Sequence, residues 1–266
     1  MATWDNLSTS RIIDLSVTVA PDAPAWWPYH MPFTTKVWNY YAELNERQGT
    51  VPSDGPYQTR MWIIDEHTGT HFDAPAHFIP PPDSGLPWAG ELGTQTDDQV
   101  PVRDLTGFAV VVDVTQLTGQ GEPGVSPWIK AEHILAWERE HGQIQAGEVV
   151  LLHTGWDKYF VRGAQGDAYC RDIVLYQRGP GWPAPDVDLV LLLHERGVRC
   201  IGTDGPSIGA YPDGAPTHRE GLSRGMRFVE QLTGLEQLPL RGAYFVFLPV
   251  KVANSTGGPG RAIAFV

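Results

Sequence analysis

Runs rich in Val, Ile and aromatic residues recur along the chain at residues 11–19, 108–114, 149–153, 198–201 and 244–252, and each predicts a β-strand. Residues 126–140 carry Ile129, Ile134, Leu135 and Trp137 at helical spacing and open with Ser126-Pro127, which predicts an N-cap with proline in the first turn. Residues 186–195 form a second predicted helix, which runs through Gly197 as a left-handed stop into the next strand. Strands and helices alternate only in the second half; the first half reads as strand and loop. That order predicts an α/β fold with a mixed sheet or irregular barrel and flanking helices, not a doubly wound domain.

Residues 79–102 interrupt the pattern with Pro80, Pro81, Pro82 and Pro87, yet keep Leu86, Trp88 and Leu92. A long excursion of this kind reads as a lid, a pocket wall or a passive surface loop. Length fits either one large domain or two small ones; no internal repeat divides the chain.

Composition narrows the partners. Nineteen Lys and Arg against 31 Asp and Glu give a net charge of −12, which argues against nucleic acid or an anionic membrane as the main partner. Only Cys170 and Cys200 are present, without a CxxC spacing, so a reduced, cytoplasmic setting is expected. The first residues lack a basic region followed by an apolar run, and the longest apolar runs, such as Leu189 to Leu193, are too short to span a bilayer.

The chemistry concentrates in residues 67–77, His-Thr-Gly-Thr-His-Phe-Asp-Ala-Pro-Ala-His. His67, His71 and Asp73 offer two nitrogens and one oxygen, a mixed set that zinc, manganese or iron accepts. His77 stands just outside, where a proton carrier is useful. The Thr-Gly-Thr between the first two histidines is poor helix material, so the motif should lie on an extended or turning segment after a strand at residues 61–65. Gly69 would allow close backbone approach, and Pro75 would stiffen the exit.

Other candidates are weaker when taken alone. His218 and Glu230 supply one nitrogen and one carboxylate that could complete a second metal centre with Asp73 bridging. Asp204 and Ser207 follow an apolar strand, where they either serve a site or close a local turn. Trp27 and Trp62 are the tryptophans best placed for pocket walls, while His153 reads as core and His30, His133, His141 and His194 as solvated or packing residues.

With those residues in view, the chain resembles the metal-dependent cyclase-like hydrolases, a family that includes bacterial kynurenine formamidases and isatin hydrolases. The family signature His-x-Gly-Thr-His-x-Asp-x-Pro-x-His is matched in full from His67 to His77. The likeness extends to Asp14-Leu15-Ser16, Trp27-Pro28, residues 147–156, 197–208 and 218–230, and 248–251 through 261–264.

The resemblance implies a single domain over residues 1–266 with a swivelling β/β/α fold, and a homodimer or homotetramer. It implies that His67, His71 and Asp73 bind one metal and Asp73, His218 and Glu230 a second, with one or two zinc ions or with manganese. His77 is then the acid/base, and Trp27 contacts substrate, with Trp62 and Ser207 as further substrate-binding candidates. The implied activity is hydrolysis of a C–N amide bond in a small aromatic substrate, a linear aryl formamide or a cyclic amide, by metal-activated water. The alternative is a lactone hydrolase, or a cyclase or dehydratase acting on a small biosynthetic or catabolic intermediate. Two departures fall where substrate would be shaped. Extra residues stand around 79–102 and 159–185, and Gly209 occupies a position where formamidases commonly show aspartate.

Overall fold

A computed structural model describes residues 10–42, 44 and 55–266. Its centre is four parallel strands: β5 (Thr106–Asp113), β7 (Val149–His153), β9 (Cys200–Thr203) and β10 (Arg227–Glu230). Three antiparallel strands close this sheet into a ring. These are β11 (Arg241–Pro249) against β5, β12 (Gly257–Phe265) against β11, and the three-residue β4 (His71–Asp73) between β12 and β10. Strand β1 (Ile12–Asp14) adds to the far end of β12. The result is an irregular mixed barrel of seven strands with β1 appended, as the strand-and-loop pattern predicts.

Alternation along the strands builds two cores. Ala109, Val111, Val149, Leu151, Phe72, Val229, Phe245 and Phe247 fill the barrel interior. Val110, Val112, Val150, Leu152, Ile201 and Phe228 face outward beneath helices α1 (Ala131–His141), α3 (Val187–Glu195) and α4 (Ala215–Leu222). A third cluster, around Trp156, Tyr169 and Trp182, packs under α2 (Arg171–Tyr176).

Several expectations shift. The predicted strand at residues 11–19 pairs only over Ile12–Asp14, with a lone bridge at Ser16. Ser126 is not a helix cap. Its backbone and hydroxyl bond Tyr211, and β6 (Trp128–Ile129) pairs with β8 (Ala184–Pro185) before α1 begins at Ala131. Lys130 occupies the cap position, and its N–H donates to His133 Nδ1 at 2.9 Å. By contrast Gly197 takes φ 79° beyond α3 as expected, and Asp186, counted in the predicted helix, is instead its cap, accepting from Leu189 N at 2.8 Å.

Strands β2 (Thr34–Asn39) and β3 (Thr59–Ile63) form a separate two-stranded ribbon. Every residue of β3 is exposed. No helix among the described residues is long and apolar enough to cross a membrane. Cys170 and Cys200 are free thiols, both buried.

Candidate metal centre and its cavity

Register assembles the centre. In the antiparallel pairing of β4 with β10, His71 stands opposite Glu230 and Asp73 opposite Phe228. Because side chains alternate, Phe72 and Val229 turn into the barrel while His71, Asp73 and Glu230 share the outer face. Glu230 ends β10 at the carboxyl edge of the parallel strands. Helix α4 lays His218 over the same spot. Its close seat depends on Gly221, where a Cβ would fall 2.2 Å from Phe228 Cζ.

The ligand atoms of His67, His71 and Asp73 lie within 4.8 Å of one another, as do those of Asp73, His218 and Glu230. Asp73 is common to both sets. His67 Nδ1 is 3.0 Å from Asp73 Oδ1, His71 Nε2 is 3.4 Å from Glu230 Oε2, and His218 Nε2 is 3.3 Å from Glu230 Oε1. All five residues are buried.

The donor set fits a divalent cation on three counts. His71 Nδ1 is held by the Gly69 carbonyl at 2.7 Å and His218 Nδ1 by the Gly214 carbonyl at 2.8 Å, which leaves each Nε2 lone pair aimed inward. Asp73 Oδ2 is buried without a well-formed hydrogen bond. Two buried carboxylates also demand positive charge, which either protonated histidines or a metal ion supplies. Burial opposes charging His67 and His218, but Asp73 with Glu66 around the first, and Asp73 with Glu230 around the second, outweigh it and raise both to about 10. Burial likewise opposes an ionised Asp73 and is overcome by His77, His218 and His67, which hold the carboxyl well below its usual range.

His77 follows on a 3-10 turn over Pro75–His77, with Pro75 at its start. It stacks on His67 at 3.9 Å and meets Phe78 edge-on at 4.6 Å. Burial pushes its imidazole down to about 4, so the ring is neutral at neutral pH.

A cavity of about 440 Å³ opens over the cluster, a volume suited to a small molecule. Trp26, Trp27, Tyr29, Phe78 and Tyr211 supply its aromatic walls, and His67, His71, His77, His218 and Glu230 its floor. Trp27 is one of these walls, braced edge-to-face on Trp182 at 6.0 Å. Ser207 also lines the cavity, but its hydroxyl lies 3.3 Å from Glu230 Oε1, which further accepts from Ile208 N at 2.6 Å.

Trp62 is displaced from the expected place. It lies on the ribbon, 67% exposed, against Phe33 and away from this cavity. Adjacency to the motif misled, because the chain turns sharply between Ile64 and His67. His30 goes the other way, lining the cavity with Nδ1 3.4 Å from Asp65 Oδ2. No residue from 79 to 102 lines the cavity, so that excursion is not one of its walls; Phe78, just before it, is.

Gly69 has a reason within the fold itself. Its φ of +67° turns the carbonyl to His71, and a Cβ there would fall 2.5 Å from Val19 Cγ2. Asp204 is fully buried and accepts from Thr154 N and Oγ1 and from Gly155 N, tying the end of β9 to that of β7 instead of closing its own turn. Gly209 has a steric reason, since a Cβ there would lie 2.7 Å from His218 Cε1. Tyr211 and Tyr29 had no local signal; their place depends on loops converging from distant parts of the chain.

The fold and site have relatives. A family model described as "Putative cyclase" matches residues 13–210, a span that includes the whole 67–77 motif. The isatin hydrolase of Roseibium aggregatum is 33% identical over 221 residues, covering 80% of this chain and 77% of that protein. The kynurenine formamidase of Salinibacter ruber is 29% identical over 255 residues, covering 95% and 96%. Among solved structures, isatin hydrolase A from Ralstonia solanacearum matches with a TM-score of 0.77 at 26% identity, over 97% of this chain and 93% of that one.

Proposed function

This chain belongs to the cyclase family, whose isatin hydrolase and kynurenine formamidase relatives indicate a metal-dependent amide-bond hydrolase, and we propose that it cleaves the C–N bond of a small aryl formamide or cyclic aryl amide. The observation that carries this reading is the buried pair of ligand sets sharing Asp73, set at the floor of an aromatic cavity. We assign His67, His71 and Asp73 to one ion and Asp73, His218 and Glu230 to a second. Zinc is the first assignment and manganese the second, since histidine with carboxylate suits both. When bound, such an ion supplies activated water at neutral pH and positive charge against a developing oxyanion.

The chain's own residues do the rest. Trp27 and the facing aromatic rings exclude water and hold the aryl group flat, so that the amide lies over the ligand cluster. Ser207 and the Ile208 amide fix Glu230. Neutral His77 takes a proton as the carbonyl is attacked and returns it to the departing nitrogen, work typically worth about 10²–10⁴-fold in rate.

The ribbon supports a homodimer or homotetramer. Trp38, Met61, Trp62 and Ile63 are exposed on it, and an isolated two-stranded ribbon is marginal without cover. A reduced, cytoplasmic setting fits the two buried thiols.

Metal analysis of purified protein, followed by assay on isatin, N-formylkynurenine and an aryl lactone in labelled water, tests the reading. Hydrolysis of either amide with label in the acid product is the expected result. Lactone hydrolysis alone, or water loss without label uptake, would assign the chain to the alternative chemistries.

A further inference from the structure

The histidines of the cluster are oriented in two different ways. His71 and His218 each give Nδ1 to a main-chain carbonyl and present Nε2. His67 is reversed: Nδ1 faces Asp73 at 3.0 Å, and Nε2 faces outward to side chains. Nε2 lies 3.3 Å from Thr256 Oγ1 and 3.7 Å from Glu66 Oε1.

We propose that Glu66 and Thr256 are positioning residues that clamp His67 in the tautomer carrying its proton on Nε2, leaving the Nδ1 lone pair for the metal. The inference rests on the metal-centre reading above. The chain of donors runs one way: His67 Nε2–H donates to Thr256 Oγ1, and the Thr256 hydroxyl donates to Glu66 Oε1. The Glu66 carboxylate also accepts from Thr256 N at 3.0 Å on Oε1 and from the Ser255 hydroxyl on Oε2.

Both ends of the clamp are anchored. The Thr256 carbonyl accepts from Ala74 N at 2.9 Å, just after β4, and Asp65 Oδ1 accepts from His67 N at 2.9 Å. Gly257 leaves room for the ring, since a Cβ there would fall 2.5 Å from His67 Cε1. A carboxylate relayed to a ligand imidazole fixes the ring and raises its basicity. Main-chain carbonyls orient the other two histidines whatever their side chains. Of the three, only His67 has the ring nitrogen that faces away from the metal set held by a side chain.

The test uses the full chain, stripped of metal by a chelator and titrated with Zn²⁺ against a chromophoric competitor, with Co²⁺ absorption as a spectroscopic check of ligand geometry. Thr256→Val keeps the shape and removes the hydroxyl, Thr256→Ser keeps the hydroxyl and removes the methyl, and Glu66→Gln keeps the shape and removes the charge. Thr256→Val and Glu66→Gln should each lose affinity by roughly 10- to 100-fold and shift the Co²⁺ spectrum, while Thr256→Ser stays near wild type. A packing role alone would give the reverse order for the two Thr256 variants. Wild-type affinity in both Thr256→Val and Glu66→Gln overturns the clamp. A wild-type chain that takes up no metal overturns the centre itself, and the clamp with it, so the two failures are told apart.

Discussion

Strands β3 and β4 lie seven residues apart (64–70) and meet opposite fates. The first reads Thr-Arg-Met-Trp-Ile and is exposed along its whole length; the second reads His-Phe-Asp and is buried along its whole length. Hydrophobicity alone would assign them the other way round. The difference lies in partners. Strand β4 has ladders on both sides, to β10 and β12, and its polar side chains meet complementary groups from α4 and β10. Among the described residues strand β3 has β2 alone. A buried polar strand among complementary groups marks chemistry, whereas an exposed apolar strand is the surface proposed above as a subunit contact.

Substitutions break that contrast at different strengths. Asp73→Ala removes the ligand common to both sets, so bound metal should fall to background by elemental analysis and turnover with it. His77→Ala should keep the metal, and kcat should fall by about 10²–10⁴-fold; unchanged kcat at full metal content would remove His77 from the chemistry. Gly257→Ala drives a methyl into the His67 ring, an overpacking that costs about 1–3 kcal/mol, read as a lower melting temperature and weaker metal binding. Trp62→Ser should do least to the isolated chain, within about 0.5 kcal/mol for an exposed site, and leave metal content intact while light scattering reports weaker association. Lost metal in Trp62→Ser would mean that the ribbon and the centre are not independent.

Much of this architecture was legible in the residues. Strands β5, β7 and β11 and helix α3 follow their apolar patterns closely, because each buries a face through its own repeat. The ligand motif was legible because its five chemistry-bearing and stiffening residues, His67, His71, Asp73, Pro75 and His77, fall within eleven positions. Strands β4, β10 and β12 were not. Three or four residues carry too little periodicity, and β12 holds Gly-Gly-Pro-Gly where strand-formers are expected. His218 and Glu230 gained weight only from family resemblance, since α4 and β10 bring them to the motif through pairing that no local pattern announces. The role of Thr256 was equally hidden, since the partner of its hydroxyl lies 189 residues away.

The most direct test of the two-set centre is the metal content of the purified wild-type chain beside its His218→Ala variant, measured by elemental analysis on folded protein. The account predicts one or two zinc or manganese ions per wild-type chain, and a lower content once the second set loses its histidine. A wild-type chain that hydrolyses its amide substrate at full rate after exhaustive chelation, with no metal detected, would contradict it.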